Sequence, residues 1–253
     1  MTDPLLFFLL AIPVVLLTGI AKGGFAGGLG TLAVPLLTLL VDPRLAAAVM
    51  LPILCVMDLF TVWQYRRGWD GRSLKILLPG AIIGIVIGGL TFKIMNADMI
   101  RAIVGLMSII FVGNYWFVDR HRKEVSPHGQ NPLKGAFLGA LSGFTSFIAH
   151  AGGPPLSQYL FPLRLDKTVM VATSVIFFFT VNYTKLIPYA LLGQLSAENL
   201  LMSLYLMPFA PVGVWLGIWL HNRVSTRLFY IACYGLLFLV GIRLFSEGMM
   251  ALL

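Results

Sequence analysis

The chain has 253 residues, of which 58% are hydrophobic and 11% charged, whereas a soluble domain carries about 25% charged residues. This composition excludes an ordinary soluble fold. The net charge of +8 is also typical of nucleic-acid-binding proteins, but the basic residues lie in loops between apolar blocks, so we expect no nucleic-acid partner. Two cysteines and four scattered histidines match no disulfide framework and no zinc-binding spacing, so we expect neither a metal nor a cofactor.

Apolar blocks recur from end to end, most of them about 17–24 residues long, which is the length that crosses a hydrocarbon core of about 30 Å as a helix. The blocks are continuous rather than alternating, which argues against strands. We therefore predict an all-α polytopic membrane protein surrounded by lipid. The predicted helical segments are Leu5–Ala21, Phe25–Val41, Leu45–Gln64, Leu74–Lys93, Met99–Val118, Leu133–Ala149, Pro154–Leu163, Val169–Tyr189, Leu200–Leu220 and Leu228–Leu244.

The first two segments are separated by a glycine cluster. Six of the twelve residues from Gly19 to Gly30 are glycine, and Lys22 lies among them. Because a glycine inside a helix costs about 1 kcal/mol relative to alanine, the cluster predicts a broken helix. The glycines after Lys22 would expose N–H groups at the start of the next helix, where unpaired donors and the helix dipole attract anions. The predicted anion ligands of this break are Lys22, Gly23, Gly24, Gly27 and Gly28.

A second break interrupts the other half of the chain at Gly152 and Gly153, directly before two prolines and two residues after His150. Proline suits the first turn of a helix, so a short helix is expected to begin here. We predict that Gly152 and Gly153 also bind substrate. If the two breaks face one another, a single anion could bind between their helix starts.

The two halves of the chain resemble each other on either side of a polar linker at 119–131. Gly24-Phe25 and Pro35 match Gly143-Phe144 and Pro154, and Val49-Met50 matches Val169-Met170 one residue later. A third match repeats one pattern of proline, alanine and two glycines, at Pro79, Ala81, Gly84 and Gly88 and again at Pro208, Ala210, Gly213 and Gly217. We interpret the glycines of this third pattern as sites of close helix packing. The predicted divisions are an N-terminal membrane repeat at 1–118, the linker, and a C-terminal membrane repeat at 132–253.

Basic residues predict the orientation of the repeats. The Tyr65–Lys75 loop and the linker are both rich in Lys and Arg and are separated by two segments, so they should share the cytoplasmic side. In the second half the bias reverses, because the counterpart of the Tyr65–Lys75 loop, around Gln194, carries no positive charge. This reversal predicts two inverted repeats, each with a broken helix pair that returns to its starting side followed by three transmembrane helices, as in many transporters.

Few ionisable groups lie deep in the apolar segments, where each costs about 2.5–3.5 kcal/mol. Lys22 either extends to a membrane surface or belongs to the anion site. His150 is either a hydrogen-bonding core residue or a functional one, that is, a ligand or a proton carrier. Asp58 either pairs with a lysine such as Lys185 or couples transport to the proton gradient. Asn182 and Lys185 should face the interior in every case and are further candidate ligands.

No catalytic set is visible, and we expect no enzyme activity. The sequence contains neither a nucleophile elbow nor a Walker-type phosphate loop. The segment Gly23–Gly30 has a superficial likeness to a phosphate loop, but it follows an apolar helix instead of a strand.

Three motifs together resemble the TauE/SafE family of sulfite and organosulfonate exporters, and the resemblance covers essentially the whole chain. They are GIAKGGFAGGLG at Gly19–Gly30 with Pro35, HAGGPPLSQYLFP at His150–Pro162, and NYTKLIPYALLG at Asn182–Gly193. The resemblance implies a bacterial inner-membrane permease that moves a small sulfur-containing anion, sulfite or an organosulfonate, and exports it. The alternatives are an anion channel that uses the same site, an importer of a related anion, and a membrane-embedded enzyme or a subunit of one.

Overall fold

The computed structural model describes residues 4–24, 32–117, 129–220 and 226–252, and it confirms the all-α class. A 3₁₀ turn at Phe161–Leu163 follows the seventh helix. The helices are α1 (Pro4–Gly24), α2 (Ala33–Thr38), α3 (Pro43–Gln64), α4 (Gly71–Ile94), α5 (Ala97–Phe117), α6 (Pro132–Ala149), α7 (Gly153–Leu160), α8 (Lys167–Leu191), α9 (Ala197–Leu206), α10 (Phe209–Leu220) and α11 (Thr226–Leu252).

Six of the described helices are long and apolar enough to cross a membrane, namely α1, α3, α4, α5, α8 and α11. The pair α9 and α10 makes a seventh candidate span, which is bent by 42°. The prediction of one continuous helix over Leu200–Leu220 is therefore wrong. Pro208 lies at the bend, where it lacks an N–H and its ring clashes with the carbonyl group four residues earlier.

Other predicted boundaries differ from the structure by whole turns. The first helix runs on to Gly24, and α2 has only six residues where Phe25–Val41 was predicted. Residues 25–31 lie outside the described ranges. At the other end of the chain α11 continues eight residues past Leu244, and in this extension Glu247 accepts from Arg243 at 2.8 Å.

Each broken helix pair returns to the face at which it started. Phe7, near the start of α1, and Leu40, just after α2, line one cavity of about 720 Å³. Lys134, in the first turn of α6, and Leu163, just after α7, line a second cavity of about 180 Å³. Both pairs are therefore hairpins with their ends together.

The two hairpins open at opposite ends of the bundle. The larger cavity is also lined by residues at the ends of several other helices. We call its side of the bundle the terminal face, because α1 begins there and α11 ends there. We call the other side the linker face, because α5 ends there and α6 begins there. Charged residues that line the larger cavity are Asp42 before α3, Arg101 in α5, Glu198 in α9 and Glu247 in α11.

Asp70 joins three elements at the linker face. Its carboxylate accepts hydrogen bonds from the Arg72 N–H at 3.2 Å and the Ser73 N–H at 3.3 Å, and so caps α4. The same carboxylate accepts from Nε2 of Gln130 at 2.7 Å, just before α6. The Asp70 N–H donates to Oγ1 of Thr173 in α8 at 2.9 Å. We refer to Asp70, Ser73, Gln130 and Thr173 as the Asp70 node.

Helices from different halves pack closely in parallel pairs, α4 with α6 and α1 with α10. A Cβ added at Gly84 of α4 would overlap the carbonyl oxygen of Ala140 in α6. A Cβ added at Gly213 of α10 would lie 2.8 Å from the carbonyl oxygen of Leu16 in α1. The predicted role of these glycines in close helix packing is confirmed.

Candidate functional site

The five polar residues predicted to lie in the interior are all buried where α3 and α8 pack together. Their exposed fractions are 7% for Lys22, 0% for Asp58, 6% for His150, 3% for Asn182 and 0% for Lys185. The interpretation in which Lys22 extends to a membrane surface is wrong. Buried polar groups need partners, and these five residues find theirs in two adjacent clusters.

The first cluster joins three helices through Asp58. Lys22, in the last turn of α1, donates to Oδ1 of Asp58 at 2.5 Å, and Asn182 of α8 donates to Oδ2 at 2.6 Å. Both carboxylate oxygens thus have a donor. The partner of Asp58 is Lys22, not Lys185 as the sequence suggested, because the end of α1 lies against the second half of α3.

The second cluster surrounds the ammonium group of Lys185. Its Nζ lies 3.0 Å from the carbonyl oxygen and 3.1 Å from Oγ of Ser146, and 2.7 Å from Nδ1 of His150. Nε2 of His150 lies 2.9 Å from the carbonyl oxygen of Ala47. Since a carbonyl oxygen only accepts, Nε2 carries the proton and Nδ1 accepts from Lys185. His150 is therefore neutral in this arrangement.

Backbone geometry at the second break explains how His150 reaches Lys185. His150 ends α6 in the left-handed conformation, with φ 52°, which is uncommon for residues other than glycine, although histidine is enriched among the exceptions. Its N–H donates to the Ser146 carbonyl at 3.0 Å. Two residues later the Gly152 carbonyl accepts from Oγ of Ser142 at 2.7 Å. An added Cβ at Gly152 would lie 2.7 Å from the Ser142 carbonyl oxygen, so only glycine fits against α6 here.

The glycines of the first break are placed differently from the prediction. Gly23 and Gly24 lie in the last turn of α1 instead of at the start of the next helix, and they face α10. Tyr65 donates to the Gly23 carbonyl at 3.0 Å. At a helix end the carbonyl groups, not the N–H groups, lack partners within the helix. Gly27 and Gly28 lie outside the described residues.

The two clusters form one polar file through the core. On α3, Asp58 contacts the file at one end and the Ala47 carbonyl contacts it at the other. These two residues are eleven positions apart, which is about 16 Å at the rise of an α-helix. On α8, Asn182 and Lys185 are three residues apart and occupy neighbouring positions on one face. Lys22, in the last turn of α1, and His150, at the end of α6, thus contact α3 at different depths.

Ser142 and Ser146 belong to this site although neither was among the predicted site residues. Both lie on α6 at intervals of four residues from His150, so the three side chains share one helix face. That spacing of small hydroxyl residues before a buried histidine was the available signal. Among the described residues no three His, Cys, Asp or Glu side chains come close enough together to hold a metal ion.

A multi-pass helical bundle with discontinuous helices and buried polar groups is an arrangement found in many membrane transporters. The family model described as sulfite exporter TauE/SafE matches residues 11–244, and the chain belongs to this family. No curated protein and no solved structure matched the chain.

Proposed function

We propose that the protein is a secondary transporter that exports a small sulfur-containing anion, sulfite or an organosulfonate, across the bacterial inner membrane. Membership of the TauE/SafE family supports this class of substrate. The observation that carries the proposal is Lys185, which is fully buried and has only neutral hydrogen-bond acceptors among the described residues. A buried positive charge without a carboxylate partner is costly, and an anion that binds beside it removes that cost.

In this proposal the second hairpin provides most of the site. Lys185 and His150 lie where α6 ends, and Gly152 and Gly153 supply the first N–H groups of α7, which favour a negative charge. Lys22 and Asn182 line the adjacent side of the site and donate hydrogen bonds to Asp58. Gly27 and Gly28, which precede α2 in the sequence, are the proposed counterparts of Gly152 and Gly153 in the first half.

We further propose that the chain is built from two inverted repeats. Three observations support the inversion: the hairpins open at opposite faces, the packing of α4 on α6 has a counterpart in that of α10 on α1, and the repeated glycines lie in both contacts. The linker would then face the cytoplasm, with α1 starting and α11 ending on the other side. Alternating access in such proteins is largely a movement of one group of helices against the other.

The membrane potential would drive export without ATP. Moving one negative charge out of a cell that is negative inside is favoured by about 2.3 kcal/mol per 100 mV. No proton coupling is required for this direction. We propose that Asp58 is the permanent counter-charge of Lys22 and not the proton-coupling group that was its alternative role.

The test is transport in proteoliposomes with a Lys185→Gln variant, and Lys75→Gln serves as a matched control because Lys75 is an exposed lysine of α4. Lys185→Gln should abolish saturable counterflow of sulfite and methanesulfonate, whereas Lys75→Gln should transport as the wild type does. Wild-type transport by Lys185→Gln would contradict the proposed site. Conductance that does not saturate in the wild type would mean that the protein is an anion channel.

A further inference from the structure

We infer that the buried site selects monoanions over dianions, because the described part of the polar file carries a net charge of one positive unit when Lys185 is protonated beside a bound anion. This inference rests on the proposed function and specifies its substrate class. It concerns the charge of the anion, which membership of the family leaves open. The count is made over four described side chains of the file and the neighbouring Cys55: Lys22 from α1, Asp58 from α3, His150 at the end of α6 and Lys185 from α8.

Lys22 and Asp58 cancel each other. Their side chains are 2.5 Å apart, and the carboxylate also accepts from the neutral Asn182 amide at 2.6 Å. Two buried opposite charges in contact are each far more stable ionised than either would be alone. Cys55 is a free, buried cysteine, and burial disfavours the charged thiolate form. This part of the file therefore contributes no net charge.

Lys185 has no such partner among the described residues. Its three N–H donors match three neutral acceptors, the carbonyl and hydroxyl oxygens of Ser146 and Nδ1 of His150. His150 cannot cancel the charge, and a second proton on His150 would place an N–H against the ammonium group 2.7 Å away. Residues 25–31, outside the described ranges, contain no ionisable side chain.

The excess charge of one unit determines which anion is accommodated at least cost. A monoanion such as a sulfonate or hydrogen sulfite makes the buried centre neutral. A dianion such as sulfate, thiosulfate or fully ionised sulfite leaves one negative charge uncompensated in a medium of low dielectric constant. The penalty falls on the dianion although its attraction to Lys185 is stronger, because it must also be removed from water. The site thus discriminates against the dianion because one of the anion's two charges stays uncompensated.

The first experiment compares methanesulfonate and sulfate, which are both tetrahedral at sulfur and similar in size, as competitors of sulfite transport in proteoliposomes. We expect sulfate to inhibit with an affinity lower by about tenfold or more. Sulfate that competes as well as methanesulfonate, or better, would overturn the inference. If neither anion nor sulfite is bound or moved, the proposed function itself fails, so the two failures are distinguishable.

Variants of the ion pair test the charge count directly. Asp58→Asn raises the buried charge to two positive units and should shift the preference towards sulfate, while Lys22→Gln lowers it to zero and should weaken binding of both anions. The double variant Lys22→Gln/Asp58→Asn restores one unit and should keep the monoanion preference, whatever its absolute affinity. A preference for methanesulfonate over sulfate that stays the same in Asp58→Asn and in the double variant would contradict the charge count.

The pH dependence of sulfite transport gives an independent measurement, because sulfite titrates between a monoanion and a dianion whereas methanesulfonate does not. Transport at a fixed total sulfite concentration should rise as the pH falls through the range in which hydrogen sulfite forms. Methanesulfonate transport over the same range corrects for any titration of the protein. Sulfite and methanesulfonate transport that change in parallel with pH would overturn the inference.

Discussion

Asp58 shows how a single buried side chain can organise several helices. It lies on α3 and receives donors from α1 and α8 at 2.5 and 2.6 Å, and its donor on α8, Asn182, is 124 positions further along the chain. A buried ion pair is not necessarily more stable than apolar residues of the same size, but the loss of one partner leaves the other charge unpaired. Replacing one partner should therefore lower the stability of the protein more than replacing both.

We predict that Asp58→Asn destabilises the protein by about 3–5 kcal/mol, because it leaves Lys22 buried and unpaired. Thermal unfolding in detergent, followed by the loss of monodisperse protein, measures the effect. The double variant Lys22→Gln/Asp58→Asn should recover most of the lost thermal stability. If Asp58→Asn is as stable as the wild type but loses gradient-driven accumulation while exchange continues, Asp58 is a proton-coupling residue instead.

At the scale of elements, glycines determine which helices can pack as parallel pairs. The carbonyl oxygen of Ala140 in α6 occupies the space beside Gly84 in α4. The backbone nitrogen of Phe144 lies 2.7 Å from the position of a Cβ added at Gly84. Backbone atoms cannot move aside as a flexible side chain can. The glycine rows therefore control the distance between α4 and α6, and between α1 and α10, and with it the position of both hairpins.

Gly84→Ala should destabilise the protein by about 1–3 kcal/mol, the usual cost of overpacking a close contact. Gly89→Ala in the same helix is the control, because its added Cβ would lie 3.5 Å from the nearest atom, an ordinary contact, and alanine has the higher helix propensity. Thermal stability in detergent again measures both variants. Equal stability of the two variants would show that the contact between α4 and α6 is looser than described.

At the scale of the whole molecule, the close parallel pairs do not follow the division of the sequence into halves. The helix α6 packs on α4 of the first half, and α1 packs on α10 of the second half. A movement of one sequence half against the other would have to separate both pairs. Any movement that keeps both close contacts intact would have to keep α4 with α6 and α1 with α10.

The helix path predicts that the linker and the α8–α9 turn are on opposite sides of the membrane. We expect a cysteine introduced at Gly129, before α6, to react with a membrane-impermeant maleimide from the cytoplasmic side, and one at Ala197, at the start of α9, only from the other side. Native Cys55 and Cys233 are first replaced by alanine. Labelling of both positions from the same side would contradict the inverted arrangement.

Much of this architecture was predictable from the sequence, for reasons that particular residues illustrate. The length of apolar segments and the paired glycine patterns predict the helices and their close contacts, because both depend on local composition. The partner of Asp58 was not predictable, because it depends on how deeply α1 inserts beside α3. The bend at Pro208 and the place of Ser146 did have local signals, a proline inside an apolar segment and hydroxyl residues four apart before His150, but the contact of Ser146 with Lys185 depends on how α6 packs on α8.

The Asp70 node has a mechanical consequence for transport. Hydrogen bonds to Asp70 connect the start of α4, Gln130 before α6 and the first part of α8, so three elements at the linker face are joined at one residue. Separating them would break several hydrogen bonds at about 1 kcal/mol each. A small rotation about this point would produce a larger displacement at the far ends of the same helices, near the terminal face.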